Sequence, residues 1–154
     1  MAGVSLVELV SVTAIVLVLA AVTIPVGQTM YQRQKEIELR QALRTMREAI
    51  DRFQQDVDTF PGIRQNVLNT VNEDGYPEEL EWLYEGVDIG DAAGTRIKYL
   101  RRLPIDPMTG KREWGTRSSR DQPGSLFSDG VNIFDVYSLS EATSLDGETK
   151  YAEW

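Results

Sequence analysis

Two hydrophobic patterns follow one another along the first 58 residues, and a third, weaker one occupies the rest. From Leu9 to Gln32 there is no charged residue. That run contains LVSVTAIVLVLAAVTIPV, close to the roughly 20 apolar residues that cross a bilayer core, so a membrane-spanning helix is expected. A buried core helix is the alternative, but the polypeptide left over is too small to wrap an all-round apolar helix on every side. From there apolar residues recur every three or four positions, at Ile37, Leu39, Ala42, Leu43, Met46, Ala49, Ile50, Phe53 and Val57, which predicts one apolar stripe on a continuing helix. The charges between them fall at helical spacing, Glu36 with Arg40, Arg44 with Glu48, Arg47 with Asp51 and Glu48 with Arg52. Such pairs contribute about 0.2–0.5 kcal/mol each and read as a solvated face.

Joined, the two segments predict a single helix from near Val4 to about Asp58, roughly 80 Å long at 1.5 Å per residue. Pro25 interrupts its hydrogen bonding, and Gly27 lowers its helix propensity. A kink or locally melted stretch is therefore expected over 22–27. Past Phe60-Pro61-Gly62 the signals shorten. Residues 64–71 and 77–84 read as brief helices, the second opening on Pro77 at a first helical position. Gly86, Gly90 and Gly94 punctuate a loop, and 103–110 form a turn rich in Pro and Gly. Lys111 to Thr116 and Val131 to Leu139 are expected as two strands of a meander. The fold class is thus α+β: a long N-terminal helix, transmembrane then amphipathic, packed on a small antiparallel sheet. The divisions are 1–3, a short leader; 4–27, the apolar half-helix; 28–58, the amphipathic half; and 59–154, a soluble head.

Charge and composition narrow the function. Residues 33–58 carry six basic and six acidic groups, so of the formal net charge of -8, with Glu8 set aside, the head from Thr59 onward holds -7. An acidic head does not suit nucleic acid, whose phosphates are met by clustered Lys and Arg. With no cysteine and no histidine, a disulfide staple is excluded, and zinc sites and general-base chemistry lose their commonest residue. No nucleophile elbow, phosphate loop, His-Glu-x-x-His or dinucleotide fingerprint occurs. Asp106, Asp129, Asp135 and Asp146 could in principle form a carboxylate acid/base pair, and nothing in their spacing requires one. No enzymatic activity is expected.

The most informative residue is Glu8, a carboxylate at the start of an apolar span, where an ionisable group is costly unless paired. No basic n-region precedes it, so a cleaved secretory signal is not indicated. Arg33 and Lys35 follow the span, and charge alone does not set its orientation. Gly3-Val4-Ser5-Leu6-Val7-Glu8-Leu9 followed by an apolar run resembles the processing signal of type IV pilins and pseudopilins. The leader Met1-Ala2-Gly3 lacks the basic residue that family carries before its glycine, and Val4 stands where the family has Phe. The resemblance implies cleavage between Gly3 and Val4 by a prepilin peptidase, N-methylation of Val4, and an assembly role for Glu8 and Pro25. It also implies a bacterial inner-membrane, single-pass subunit with its head in the periplasm.

Within the superfamily, Tyr99-Leu100-Arg101-Arg102-Leu103-Pro104-Ile105-Asp106-Pro107 and the closing stretch to Trp154 are similar to the major pseudopilin of type II secretion. That resemblance implies a helical homopolymer driving protein export, with minor pseudopilins, an inner-membrane assembly platform and membrane lipid as partners. A type IV pilus pilin for adhesion, motility or DNA uptake is the alternative. It further implies calcium in the loop 139–151, on the Leu139 carbonyl, Glu141 and Asp146, with Thr143, Ser144 and Glu148 nearby. An ordinary solvated acidic loop is the competing reading. The Pro-Asp-Pro stretch is read as a rigid surface turn.

Overall fold

The structure is a computed structural model that describes residues 3, 5–66, 72–122, 125 and 127–154, and of 22–26 and 66 the backbone alone. Its architecture is α+β. Helix α1 spans Leu6–Thr59, 54 residues, or about 81 Å. Glu8 lies in its first turn, where a carboxylate complements the helix dipole. The helix ends at Phe60, whose extended backbone (φ -117°, ψ 95°) donates to Asp56 O at 2.7 Å. Phe60 precedes a proline, which disfavours helical backbone. Pro61 then opens α2, Pro61–Asn66, at the first helical position. The backbone stays helical through Pro25, so the expected melting at 22–27 is not found. One missing hydrogen bond is a local cost of about 3 kcal/mol, and intact turns flank it on both sides. Of the brief helix expected at 64–71, residues 67–71 lie outside the described residues, as does Val4.

The head continues with α3, Glu81–Glu85, then β1, Val87–Asp88, and β2, Arg96–Ile97; β3, Gly115–Arg117, and β4, Asp135–Tyr137, follow, and a single 3-10 turn at Tyr151–Glu153 ends the chain. The strands form two separate antiparallel pairs, Val87 opposite Ile97, and Gly115, Thr116 and Arg117 opposite Tyr137, Val136 and Asp135. The first pair sits where the glycines read as a loop. Asp91 closes its turn, accepting from the Thr95 N–H at 2.7 Å and its hydroxyl at 2.5 Å. The second pair overlaps the two strands expected, each shortened to three residues: β4 falls within 131–139, while β3 begins late and runs one residue past Thr116. The upstream backbone of the later strand is engaged elsewhere: Ile133 N–H donates to Pro77 O at 2.7 Å. The helix expected from Pro77 begins only at Glu81 for the same reason, since Pro77 serves this cross-connection.

The core forms where the second half of α1 meets the head. Leu39, Leu43, Met46, Ile50, Phe53 and Val57 are buried against Ile63, Leu83, Leu100, Trp114, Val136 and Tyr151. Phe53 meets the Tyr99 ring edge-on at 5.4 Å. Ile37 does not belong to the stripe; it is 55% exposed, because two residues from Leu39 is about 200° around a helix.

Arg47 was expected to pair with Asp51 along the helix and instead reaches the sheet. Its Nε lies 2.6 Å from Asp135 Oδ1, and its Nη2 donates to Trp154 O at 2.8 Å. Arg117, on β3, meets the other oxygen of Asp135 at 3.2 Å and donates to Ser125 O and Ala152 O at 2.8 and 2.9 Å. The Arg117 guanidinium stacks 4.1 Å from the Tyr137 ring. That ring lies directly over Gly115, where a Cβ would come within 2.2 Å of it. Arg44–Glu48 and Arg52–Glu48, at 3.3 and 3.7 Å, are the exposed pairs expected.

These two kinds of ion pair predict different costs. Asp135→Ala strands a nearly buried Arg117 and is expected to lower unfolding stability by about 3 kcal/mol. Glu48→Ala is expected to change it by no more than about 0.5 kcal/mol. Denaturant titration of the full chain compares them, and equal losses would contradict the assignment of Asp135 as the head's central tie.

Candidate functional site

The first half of α1 contributes no residue to the hydrophobic core of the head among the described residues. Every side chain from Leu6 to Ala21 is exposed, and the large apolar ones from Leu6 to Leu19 are each more than half exposed. They succeed one another around the whole circumference, so no face is set aside for the head. Two hydroxyls in this stretch return to the helix's own backbone. Ser11 donates to Val7 O at 2.7 Å, and Thr13 donates to Leu9 O. Such bonds to the carbonyl four residues back satisfy a hydroxyl without water. Among the described residues no helix is long and apolar enough to cross a membrane; the uncharged run Leu9–Gln32 includes 22–26, whose side chains are not described.

Glu8 projects from this apolar cylinder beside Leu9, Val12, Thr13 and Val16. Among the described residues it has no hydrogen-bond or ion-pair partner. Of the processing pair, Gly3 lies exposed ahead of the helix, while the Gly3–Val4 junction falls outside the described residues.

The head takes hold of α1 just after the uncharged run. The Gln32 amide donates to the Tyr151 hydroxyl at 2.8 Å, and that hydroxyl donates to Glu36 Oε1 at 2.9 Å. The Leu145 N–H donates to the same Glu36 oxygen at 2.7 Å. Glu36 is only 9% exposed, which corrects its reading as a solvated partner of Arg40. Arg40 lies instead over the Trp154 ring, 4.4 Å from its centroid. Burial chiefly, with Glu36 beside it, raises the Tyr151 phenol above its ordinary pKa and keeps it a donor. The periodicity held the signal for this clamp. Stepping the buried positions 50, 46, 43 and 39 back by the same alternation reaches 36, so Glu36 and not Ile37 is in phase.

The four aspartates that could have formed an acid/base pair each serve a different network. Asp106 is fully buried, accepting from the Ser138 hydroxyl at 2.7 Å and the Met108 N–H at 2.8 Å. The Pro-Asp-Pro stretch is thus a turn at the surface, with Ile105 exposed, that Asp106 anchors in the core. Asp129 accepts from the Val131 N–H at 2.9 Å, which holds its carboxyl below the usual range. Asp135 serves the two arginines, and Asp146 serves the C-terminal loop.

That loop carries the residues implied as calcium ligands. Asp146 Oδ1 accepts from the Ser144 hydroxyl at 2.5 Å, the Glu148 N–H at 2.9 Å and the Thr149 N–H at 3.0 Å. Its Oδ2 accepts from the Thr149 hydroxyl at 3.0 Å. These donors, the Ser144 hydroxyl first, pull its carboxyl far below the carboxylate range. Glu141 is exposed outside this network, and Leu139 is 48% exposed. Among the described residues no three His, Cys, Asp or Glu side chains gather where they could hold a metal ion. A calcium ion takes six to eight oxygens, and the carboxylate best placed to begin such a set already faces four hydrogen-bond donors. The donor set does not fit the ion.

No family model, curated protein or solved structure matches this chain. Its site is defined by its own geometry: an uncovered apolar half-helix bearing one carboxylate, and a head clamped to the same helix from Gln32 onward.

The clamp makes a testable claim. Glu36→Ala leaves the Leu145 N–H and the buried Tyr151 hydroxyl without their acceptor, at about 1–3 kcal/mol for the buried group. Hydrogen exchange at Leu145 and Tyr151 should speed up in Glu36→Ala and stay unchanged in Glu38→Ala, which removes an exposed carboxylate one half-turn away. A similar rise in both variants would refute the clamp.

Proposed function

We propose that the chain is a structural subunit of a type II secretion pseudopilus with a pilin-like fold, polymerising through α1 to drive protein export across the outer membrane. The observation that carries this reading is the uncovered first half of α1. Ten large apolar side chains between Leu6 and Leu19 stand in the open. Burying each one contributes about 1.5–3 kcal/mol, which together exceeds the roughly 5–15 kcal/mol that holds a typical domain folded. Something outside the head covers them, lipid before assembly and other copies of the helix afterwards. The hydroxyls of Ser11 and Thr13, turned back on the backbone, suit either apolar phase.

Glu8 supplies the register. Cleavage after Gly3 by a prepilin peptidase frees the amine of Val4, which the resemblance gives as N-methylated, and the Glu8 carboxylate of a neighbouring copy pairs with it. Desolvation offsets much of that attraction, so the pair specifies position more than it adds stability. A repeated interface that does not close generates a helical filament. Pro25 lacks the N–H that would tie its turn, which leaves the lower helix the easiest place to adjust on leaving the bilayer. The minor pseudopilins, the assembly platform and the periplasmic placement of the head belong to the same reading.

Glu8→Ala tests the mechanism directly. The variant should reach the membrane in normal amount and resist carbonate extraction, yet give no filaments by electron microscopy on overexpression. Normal filaments would overturn the role of Glu8. Loss of the protein to the soluble fraction, in the wild type, would overturn the membrane reading itself.

A further inference from the structure

The loop 143–151 is built as a strap, and its closure is internal. Thr143 and Lys150 form an antiparallel bridge, and the Ser144 N–H donates to Thr149 O at 2.8 Å. The Gly147 N–H turns back to Ser144 O at 3.0 Å, at a backbone φ of 78° that glycine adopts without penalty. Inside this hairpin Asp146 gathers two hydroxyls and two N–H groups onto its two oxygens. A metal ion organises such a loop by drawing oxygens toward one positive centre. Here the arrangement is inverted: a negative centre draws donors, each with its positive end toward the carboxylate. Three of the four approach Oδ1, so a cation there would meet the positive ends of Ser144, Glu148 and Thr149 at the lone pairs it needs.

We infer that the C-terminal loop of this chain is closed by the Asp146 carboxylate in place of a calcium ion, and that the head grips α1 through this loop without bound metal. The closed strap is what presents the Leu145 N–H to Glu36 and sets Tyr151 against Gln32. The reading goes beyond filament assembly and holds whatever covers the apolar half of the helix.

Thermal unfolding of the full chain in detergent micelles tests it, after dialysis against EDTA and then with millimolar CaCl2, magnesium serving as a control for screening of the acidic head. A site that binds the folded state raises the melting temperature with ligand concentration. The expected result is no calcium-specific shift in the wild type, and a fall of several degrees in Asp146→Asn that is the same in EDTA and in calcium. Thr149→Val, which removes a single donor, should fall less in the same direction and serves if Asp146→Asn does not fold. A calcium-specific rise in the wild type would overturn the inference. So would an unchanged melting temperature in Asp146→Asn, or in Thr149→Val where that variant stands in for it.

Discussion

Asp135 is where the head is tied to its helix. Arg47 arrives from α1, Arg117 from β3, and each also sends an N–H group to a carbonyl of the last turn, at Trp154 and Ala152. A guanidinium offers five donors in a fixed fork, and Arg117 spends Nε, Nη1 and Nη2 on three different segments of chain. That cation is only 8% exposed, so it is tolerable only because Asp135 faces it and the Tyr137 ring covers it. The ring in turn needs a residue without a side chain beneath it, which is why β3 begins with Gly115. One carboxylate therefore fixes the pairing of β3 with β4, the seat of the C-terminal turn and the position of both on α1.

The second hold, at Glu36, sits near the edge of the head, and the order of the two has a consequence. Between Arg47 and Glu36 the helix is gripped by the core stripe and by the Trp154 ring over Arg40. Toward the N-terminus beyond Gln32 the described side chains are exposed. Half of α1 is structural within the chain and half is presented outward, with the boundary set by a hydrogen-bonded clamp.

Other junctions of the head are likewise closed by one carboxylate each, buried at Asp106 and exposed at Asp91 and Asp146. Asp106 pins the Pro-rich turn to Ser138, Asp91 closes the first hairpin, and Asp146 closes the last loop. With no cysteine and no histidine in the chain, carboxylates meeting hydroxyls and N–H groups do the stapling.

Much of α1 was legible from its periodicity alone, because a run of apolar residues and then a three-four alternation admit few other structures. The span expected, Val4 to Asp58, differs from the one found by one or two residues at each end. The stripe was read correctly except at Ile37, and the phase that excludes it also points to Glu36. The short elements were less legible: two- and three-residue strands carry too little alternation to register, and their existence depends on partners such as Pro77 O and Asp135. Helical spacing put Arg47 with Asp51 because sequence shows only neighbours along the helix; the sheet offered a better-buried carboxylate. Likewise the sequence shows that the C-terminal loop is acidic, but not that its own N–H and hydroxyl groups turn toward Asp146. Local periodicity determined the long helix, its uncovered half and the place of Glu8. Which charges meet across distant segments was decided only by the tertiary structure, because burial, and not spacing, selects the partner of a charge.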